Sequence, residues 1–311
     1  MKKLFAIAMV ICLVFAMSGA VLTASAEEAK PVDVKPVSFL YFTCPRGNAT
    51  VEVKMEEHID LSARIGTDEW TPVLEDRTFT LGLGERVYFK GTNPNGLGGN
   101  LHFAVSGVAT VGGDLTTLLS ENGQVDTIPC ENCFAGLFAG SAGLTGASEL
   151  ELPSMNLAKG CYAGMFKDCT MLENAPLLPA EELAENCYEN LFCGCKSLHA
   201  VTVRLKDYKE YEWSADEILS TTTAGWLEGV ADRFFFCCTK DTPTNLRGVD
   251  FIPEQAEIVI GADKPYVENV DYLGASVLST GNIVILCIVG AAAIAAIAAL
   301  VVWKKRLAGR K

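Results

Sequence analysis

Ten cysteines lie between residues 44 and 238, and a thiolate can ligate a metal, exchange with a disulfide or attack an electrophile. Two more, Cys12 and Cys287, fall in the apolar ends of the chain. Cys130-x-x-Cys133 has the spacing of a zinc or redox pair. Zinc requires four convergent ligands, however, and neither a second C-x-x-C nor a nearby histidine completes the set. The three histidines, His58, His102 and His199, are not placed beside a Cys or Ser in a nucleophile motif such as G-x-S-x-G. The Gly-rich run from Gly91 to Asn100 lacks the following helix and the Lys-Ser/Thr of a phosphate loop, and reads as a flexible loop between strands. No catalytic residue, metal ligand or cofactor is therefore assigned, and the chain is expected not to be an enzyme.

The cysteines obey a different rule. CYAGMFKDCTML (161–172) and CYENLFCGCKSL (187–198) repeat at an offset of 26, and CFAGLFAGSAGL (133–144) is an earlier, degenerate copy. Stacking the copies gives columns: Cys133/Cys161/Cys187, Phe138/Phe166/Phe192, Ser141/Cys169/Cys195 and Leu144/Leu172/Leu198. A period in the twenties, built from single apolar residues, is the mark of a solenoid whose units must stack to bury those residues. These column residues are the expected repeat core, with the cysteines acting as small buried hydrophobes. The run Leu157–Phe166 has roughly helical apolar spacing, and the stretches after the Leu column suit short strands. One short helix plus one strand per repeat describes a leucine-rich-repeat horseshoe. Neighbouring turns lie ~5 Å apart, within disulfide reach, so thiols and disulfides both remain open. Cys193 and the vicinal Cys237-Cys238, outside the columns, are the better disulfide candidates.

The pattern LPA-x-x-LA-x-x-CY-x-x-[ML]F-x-x-C-x-x-L resembles the leucine-rich repeats of BspA-like bacterial surface proteins. Residues 79–92 (FTLGLGERVYFKGT) are similar to a strand pair of the β-rich module that often precedes such repeats. Gly225–Gly229 and Asp250–Pro253 resemble the closing unit of these arrays. The likeness covers roughly residues 37 to 260. It departs at Ser141 and at Phe234–Cys238, where a more polar run with glycine is expected. The resemblance implies adhesion or binding and names no ligand.

The ends and the charge bound the rest. Lys2 and Lys3, the apolar run from Leu4 to Ala16 and Ala24-Ser25-Ala26 read as a secretory signal over 1–26. Ile283–Trp303 is an uninterrupted apolar stretch followed by Lys304-Lys305-Arg306, which reads as a stop-transfer span with its N-terminus outside. Val277–Gly281 is similar to a cell-wall sorting signal with Leu278 where a proline belongs, so covalent wall attachment is the lesser alternative. All 38 acidic residues lie between 27 and 281 with 18 of the 25 basic ones, which leaves that region at −20. Such a balance excludes nucleic acid as a partner.

Between the ends, 27–36 reads as a flexible leader and 37–108 as a sandwich of alternating strands. Residues 109–132 form a connector and N-terminal cap, 133–205 the repeats and 206–261 a closing unit. A stalk (262–281), the span (282–303) and a basic tail (304–311) follow. The predicted fold class is α+β: a small N-terminal antiparallel β-sandwich, a short leucine-rich-repeat solenoid and a single C-terminal transmembrane helix. The predicted location is the cell surface, with one membrane span.

What remains for function is a surface. Thr145, Glu149, Glu173, Asn174, His199, Thr202 and Arg204 should face the open side of the repeat strands and meet an extracellular protein or glycan. A competing reading places a sugar-stacking platform of Trp70, Tyr88 and Phe89 on the sandwich. A purely structural envelope component is the third.

Overall fold

The computed structural model describes residues 37–56, 59–206, 222–245, 247–248, 250–261 and 264–265, all within one compact unit beginning at Val37. The expected signal, leader, span and basic tail lie outside these residues, as do His58 and nearly all of the stalk.

Alternation of apolar and polar residues makes the first half a sandwich. In β2 (Ala49–Met55) the buried residues are Ala49, Val51 and Val53, and in β7 (Leu101–Gly107) they are Leu101, Phe103 and Val105. Period-two burial of this kind needs an extended chain with one face on a core. β5 (Arg77–Leu81), β2 and β7 form one antiparallel sheet. The second sheet runs β4 (Thr71–Pro72), β3 (Ser62–Ile65), β6 (Arg86–Lys90), β1 (Leu40–Thr43), β8 (Ala109–Asp114) and β9 (Leu144–Glu151). Its last pair is parallel, with register shifts between Ala109 and Gly112, and carries the sheet from the sandwich into the first repeat.

The connector carries a four-residue 3-10 turn, Leu115–Leu118. Asp114, 2% exposed, holds it: its carboxylate accepts from the Thr116 amide and hydroxyl and from the backbone and side chain of Gln124. Four donors are what makes a buried carboxylate tolerable there.

The repeats depart from expectation in an instructive way. No helix forms in them; each coil is a chain of tight turns with a left-handed residue every fourth position. These residues are Asn132, Gly136 and Gly140, then Gly160, Gly164 and Asp168, then Asn186, Asn190 and Gly194, then Gly225 and Gly229, all with φ between 52° and 79°. Every one is Gly, Asn or Asp, the types that tolerate this conformation. A helix would lose ~1 kcal/mol for each glycine, and a period of four drifts away from 3.6. Alternate amides close turns within the coil (Met165 N–H to Tyr162 O) while the others donate to the next coil (Phe134 to Cys161, Phe138 to Met165, Phe166 to Leu191, Phe192 to Trp226). Half the donors of a lone coil would thus be unpaired, which makes stacking obligatory.

Period four also aligns the side chains into two aromatic files. Phe103, Phe138, Phe166 and Phe192 follow one another at 6.0, 5.2 and 5.4 Å between ring centroids. Phe134, Tyr162, Tyr188 and Trp226 follow at 5.8, 6.1 and 6.2 Å. The first file begins inside the sandwich, where Phe103 also packs on Phe42 and Phe89.

The joint between the two halves explains Ser141. Cys169 Sγ donates to the Phe138 carbonyl of the preceding coil, and Cys195 Sγ to that of Phe166, each at 3.0 Å. Ser141 occupies the same column, but its neighbour is strand β7: its hydroxyl donates to Phe103 O at 2.9 Å and accepts from Val105 N at 3.0 Å. A strand presents both a carbonyl and an amide, and a hydroxyl serves both. The sandwich therefore closes one end of the coil stack.

The later coil strands, β10 (Leu177–Leu178), β11 (Ala200–Val203), β12 (Phe235–Cys238) and β13 (Glu257–Ile260), pair in parallel. Trp226 ends the second file against Phe236 and donates its indole N–H to Phe251 O at 2.7 Å.

Two sequence expectations are corrected. The chain is nearly all β over the described residues, not α+β, because left-handed turns replace the helix in every coil. No helix among the described residues is long and apolar enough to cross a membrane, and residues 282–303 lie outside them, so the C-terminal transmembrane helix and the single-pass location built on it are not carried further.

Candidate functional site: the outer face of the extended sheet

Strand register builds a polar surface across the six-stranded sheet. One row reads Arg64, Tyr88, Tyr41, Gly112 and Glu149, each directly opposite the next. Beside it run Arg86, Thr43, Thr110, Gly146 and Asn174. In the antiparallel pairs of the row such opposed side chains are neighbours, and across Gly112, which has no side chain, Tyr41 reaches Glu149 directly.

At the solenoid end, Tyr41 donates its hydroxyl to Glu149. Burial first, and this bond second, push the Tyr41 hydroxyl well above its ordinary pKa of 10.0. Gly112 makes the bond possible: a Cβ there would stand 2.5 Å from the Tyr41 hydroxyl. A groove of about 210 Å³ is lined by Thr110, Thr145, Ser148, Glu149, Glu173 and Asn174. Four of the seven residues assigned to the binding face from sequence thus meet in one groove. His199 and Arg204 are half-buried and stand on later coils.

Thr202 is different. It lies opposite Leu177 and Cys237 and is 1% exposed, and Ala200 on the same face is 3% exposed. The outer face is closed at β11, so Thr202 is not part of an open surface. Sequence spacing places a residue on a face and says nothing of what covers that face.

At the sandwich end, the expected stacking platform is also revised. Phe89 points into the core at 0% exposure. Trp70 and Tyr88 are on the outer face, but their rings flank the Arg64 guanidinium, whose carbon lies 4.8 Å and 5.0 Å from the two centroids. Phe39 packs edge-on to Trp70 at 4.9 Å. Lys90 sits 5.0 Å above Trp70 and pairs with Glu121 at 2.8 Å, while Arg86 lies over Tyr41 at 4.5 Å. Sequence reading had no route to Arg64: its role depends on the β3–β6–β1 register, and the only local signal is that it alternates with the buried Ala63.

The thiols are packing groups. Cys133, Phe138, Leu144, Cys161, Phe166, Cys169, Leu172, Cys187, Phe192, Cys195 and Leu198 are all 0% exposed. All ten described cysteines are free thiols. Burial pushes Cys133, Cys169 and Cys187 up to about 12, and Cys237 and Cys238 up to about 11. Such thiols are poor nucleophiles, since reactivity belongs to the thiolate. Cys130 and Cys133 both press on Gly96, where a Cβ would fall 2.2 Å and 3.2 Å from the two sulfurs. Among the described residues no group of three or more His, Cys, Asp or Glu is arranged to hold a metal ion.

Comparison with known protein families, curated proteins and solved structures finds no match to this chain.

Proposed function

We propose that the protein is a non-catalytic recognition protein that binds a macromolecule, protein or glycan, through the outer face of its extended six-stranded sheet. Adhesion of this kind is what the resemblance to BspA-like repeats implies. The supporting observation is the groove where Thr145, Glu149, Glu173 and Asn174 converge at the first two coils. Thr110, Thr145, Ser148 and Glu149 belong to the paired strands β8 and β9 and Asn174 is bridged to Gly146, which reduces the backbone entropy lost when a ligand settles there. Hydroxyl, amide and carboxylate groups give the groove hydrogen-bonding chemistry suited to polyhydroxyl or basic partners.

The test is a capture screen of the full chain on arrays of proteins and glycans. Binding is expected to at least one defined class, and to fall tenfold or more in the Glu173→Lys/Asn174→Ala double variant at unchanged melting temperature. Binding that ignores this double variant would overturn the assignment of the groove.

A further inference from the structure

We propose that Arg64 is the anchor for the carboxylate of an acidic oligosaccharide lying across the outer face of the sheet. This rests on the reading of that face as the recognition surface and adds the ligand's chemistry.

Arg64 has no carboxylate partner and no side-chain hydrogen bond among the described residues, and its Nε is shut off from solvent without an acceptor. Its guanidinium is fixed instead by rings, 4.8 Å from Trp70, 5.0 Å from Tyr88 and 5.9 Å from Phe39. Stacking of this kind orients the plane of the fork while leaving its donors unspent, and a planar fork matches a carboxylate through two parallel hydrogen bonds. Arg86, exposed and two residues along β6 from Tyr88, adds a second cation on the same side.

The remainder of the face selects a sugar over an acidic polypeptide. From Arg64 the register row leads through Tyr88 and Tyr41 to Glu149, crossing four strand spacings, or ~19 Å. Arg64 stands at one end and the carboxylates Glu149 and Glu173 at the other, with Arg86 over the Tyr41 ring and Thr43 and Thr110 between them. A polypeptide with an acid at every residue would meet repulsion at Glu149 and Glu173. An oligosaccharide with one carboxylate at Arg64 and neutral hydroxyls beyond meets acceptors there. Its length suits several sugar rings rather than one.

The experiment is calorimetric titration of the full chain with a tetrasaccharide carrying one terminal glucuronic acid on three neutral sugars, with the same tetrasaccharide after reduction of its carboxyl group, and with a poly-glutamate peptide. The acidic sugar is expected to bind, with weakening as salt rises. Carboxyl reduction and the Arg64→Met variant should each cost roughly ten- to hundredfold in affinity, the range of a charged hydrogen-bonded contact. Arg64→Lys, which keeps charge and loses the fork, should fall between and guards against a folding defect in the Met variant.

Equal binding of the acidic and reduced sugars, or indifference to both Arg64 variants, would overturn the anchor while leaving the face reading intact. Binding of poly-glutamate as tight as the sugar would overturn the choice of a saccharide. Binding of none of the three would overturn the anchor, and the face reading would then stand or fall on the capture screen.

Discussion

The sandwich and the coil stack solve the same problem, pairing every buried backbone amide, by opposite routes. In the sandwich the pairing partners are strands folded back on their neighbours, as in β2 between β5 and β7. In the coils half of the turn amides reach a residue 25 to 34 positions further on, as Gly160 reaches Glu185 and Tyr188 reaches Thr222. A sandwich strand therefore declares itself locally by alternation, whereas a coil declares itself only through its copies. The two routes meet at Ser141 and Phe103, where one sheet and one aromatic file serve both.

The largest break in this comparison should come from the shared file. Phe166→Ala removes a ring stacked on both neighbours, and ~3–5 kcal/mol of stability should go with it in urea unfolding. A loss below 1 kcal/mol would mean that the file is not a core.

Next are the left-handed positions. Gly160 has φ 61°, and a Cβ there would lie 2.2 Å from Asn132 Oδ1, while Gly136 has φ 64° and open space around it. Gly136→Ala should cost about 1–2 kcal/mol from backbone conformation alone. Gly160→Ala should cost more, because Asn132 must also move. Equal costs would remove the proposed contact between coils. Ser141→Ala, which orphans Phe103 O and Val105 N at the joint, should cost about 1–3 kcal/mol, and Ser141→Cys less.

The buried thiols give a pH signature. Their folded pKa values are raised above the ordinary 9.0, so the unfolded chain loses these protons first. Stability is then fully present below pH 9 and falls as the pH rises towards 12, with a shallower fall in Cys169→Ala. Smallest in effect is a rate difference: a thiol reagent should modify the half-buried Cys130 and Cys193 before any of the other eight described cysteines.

Much of the sandwich was readable because Val51, Val53, Phe103 and Val105 alternate with polar residues. The repeat columns were readable for the same kind of reason, since Cys161 and Cys187 hold equivalent places. What misled was local spacing. LAKGCYAGMF has apolar residues where a helix would want them, yet Gly160, Gly164 and Asp168 fall every fourth residue, and that was the stronger signal. On the outer face, Glu149 and Glu173 were legible from alternation with the Ala and Leu positions. Thr202 was misplaced because cover over a sheet is a tertiary fact. Arg64 was missed because three strands from separate parts of the chain bring its rings together.

Sandwich and coils form one continuous unit on this account, and tryptophan fluorescence tests that most directly. Two variants would each retain a single indole, Trp70 on the sandwich or Trp226 in the fourth coil, with the other tryptophans changed to phenylalanine. Urea unfolding followed through either indole should give one transition at the same midpoint, and Phe103→Ala should lower both midpoints together. Two separated transitions, or a Phe103→Ala shift confined to Trp70, would contradict a shared sheet and core.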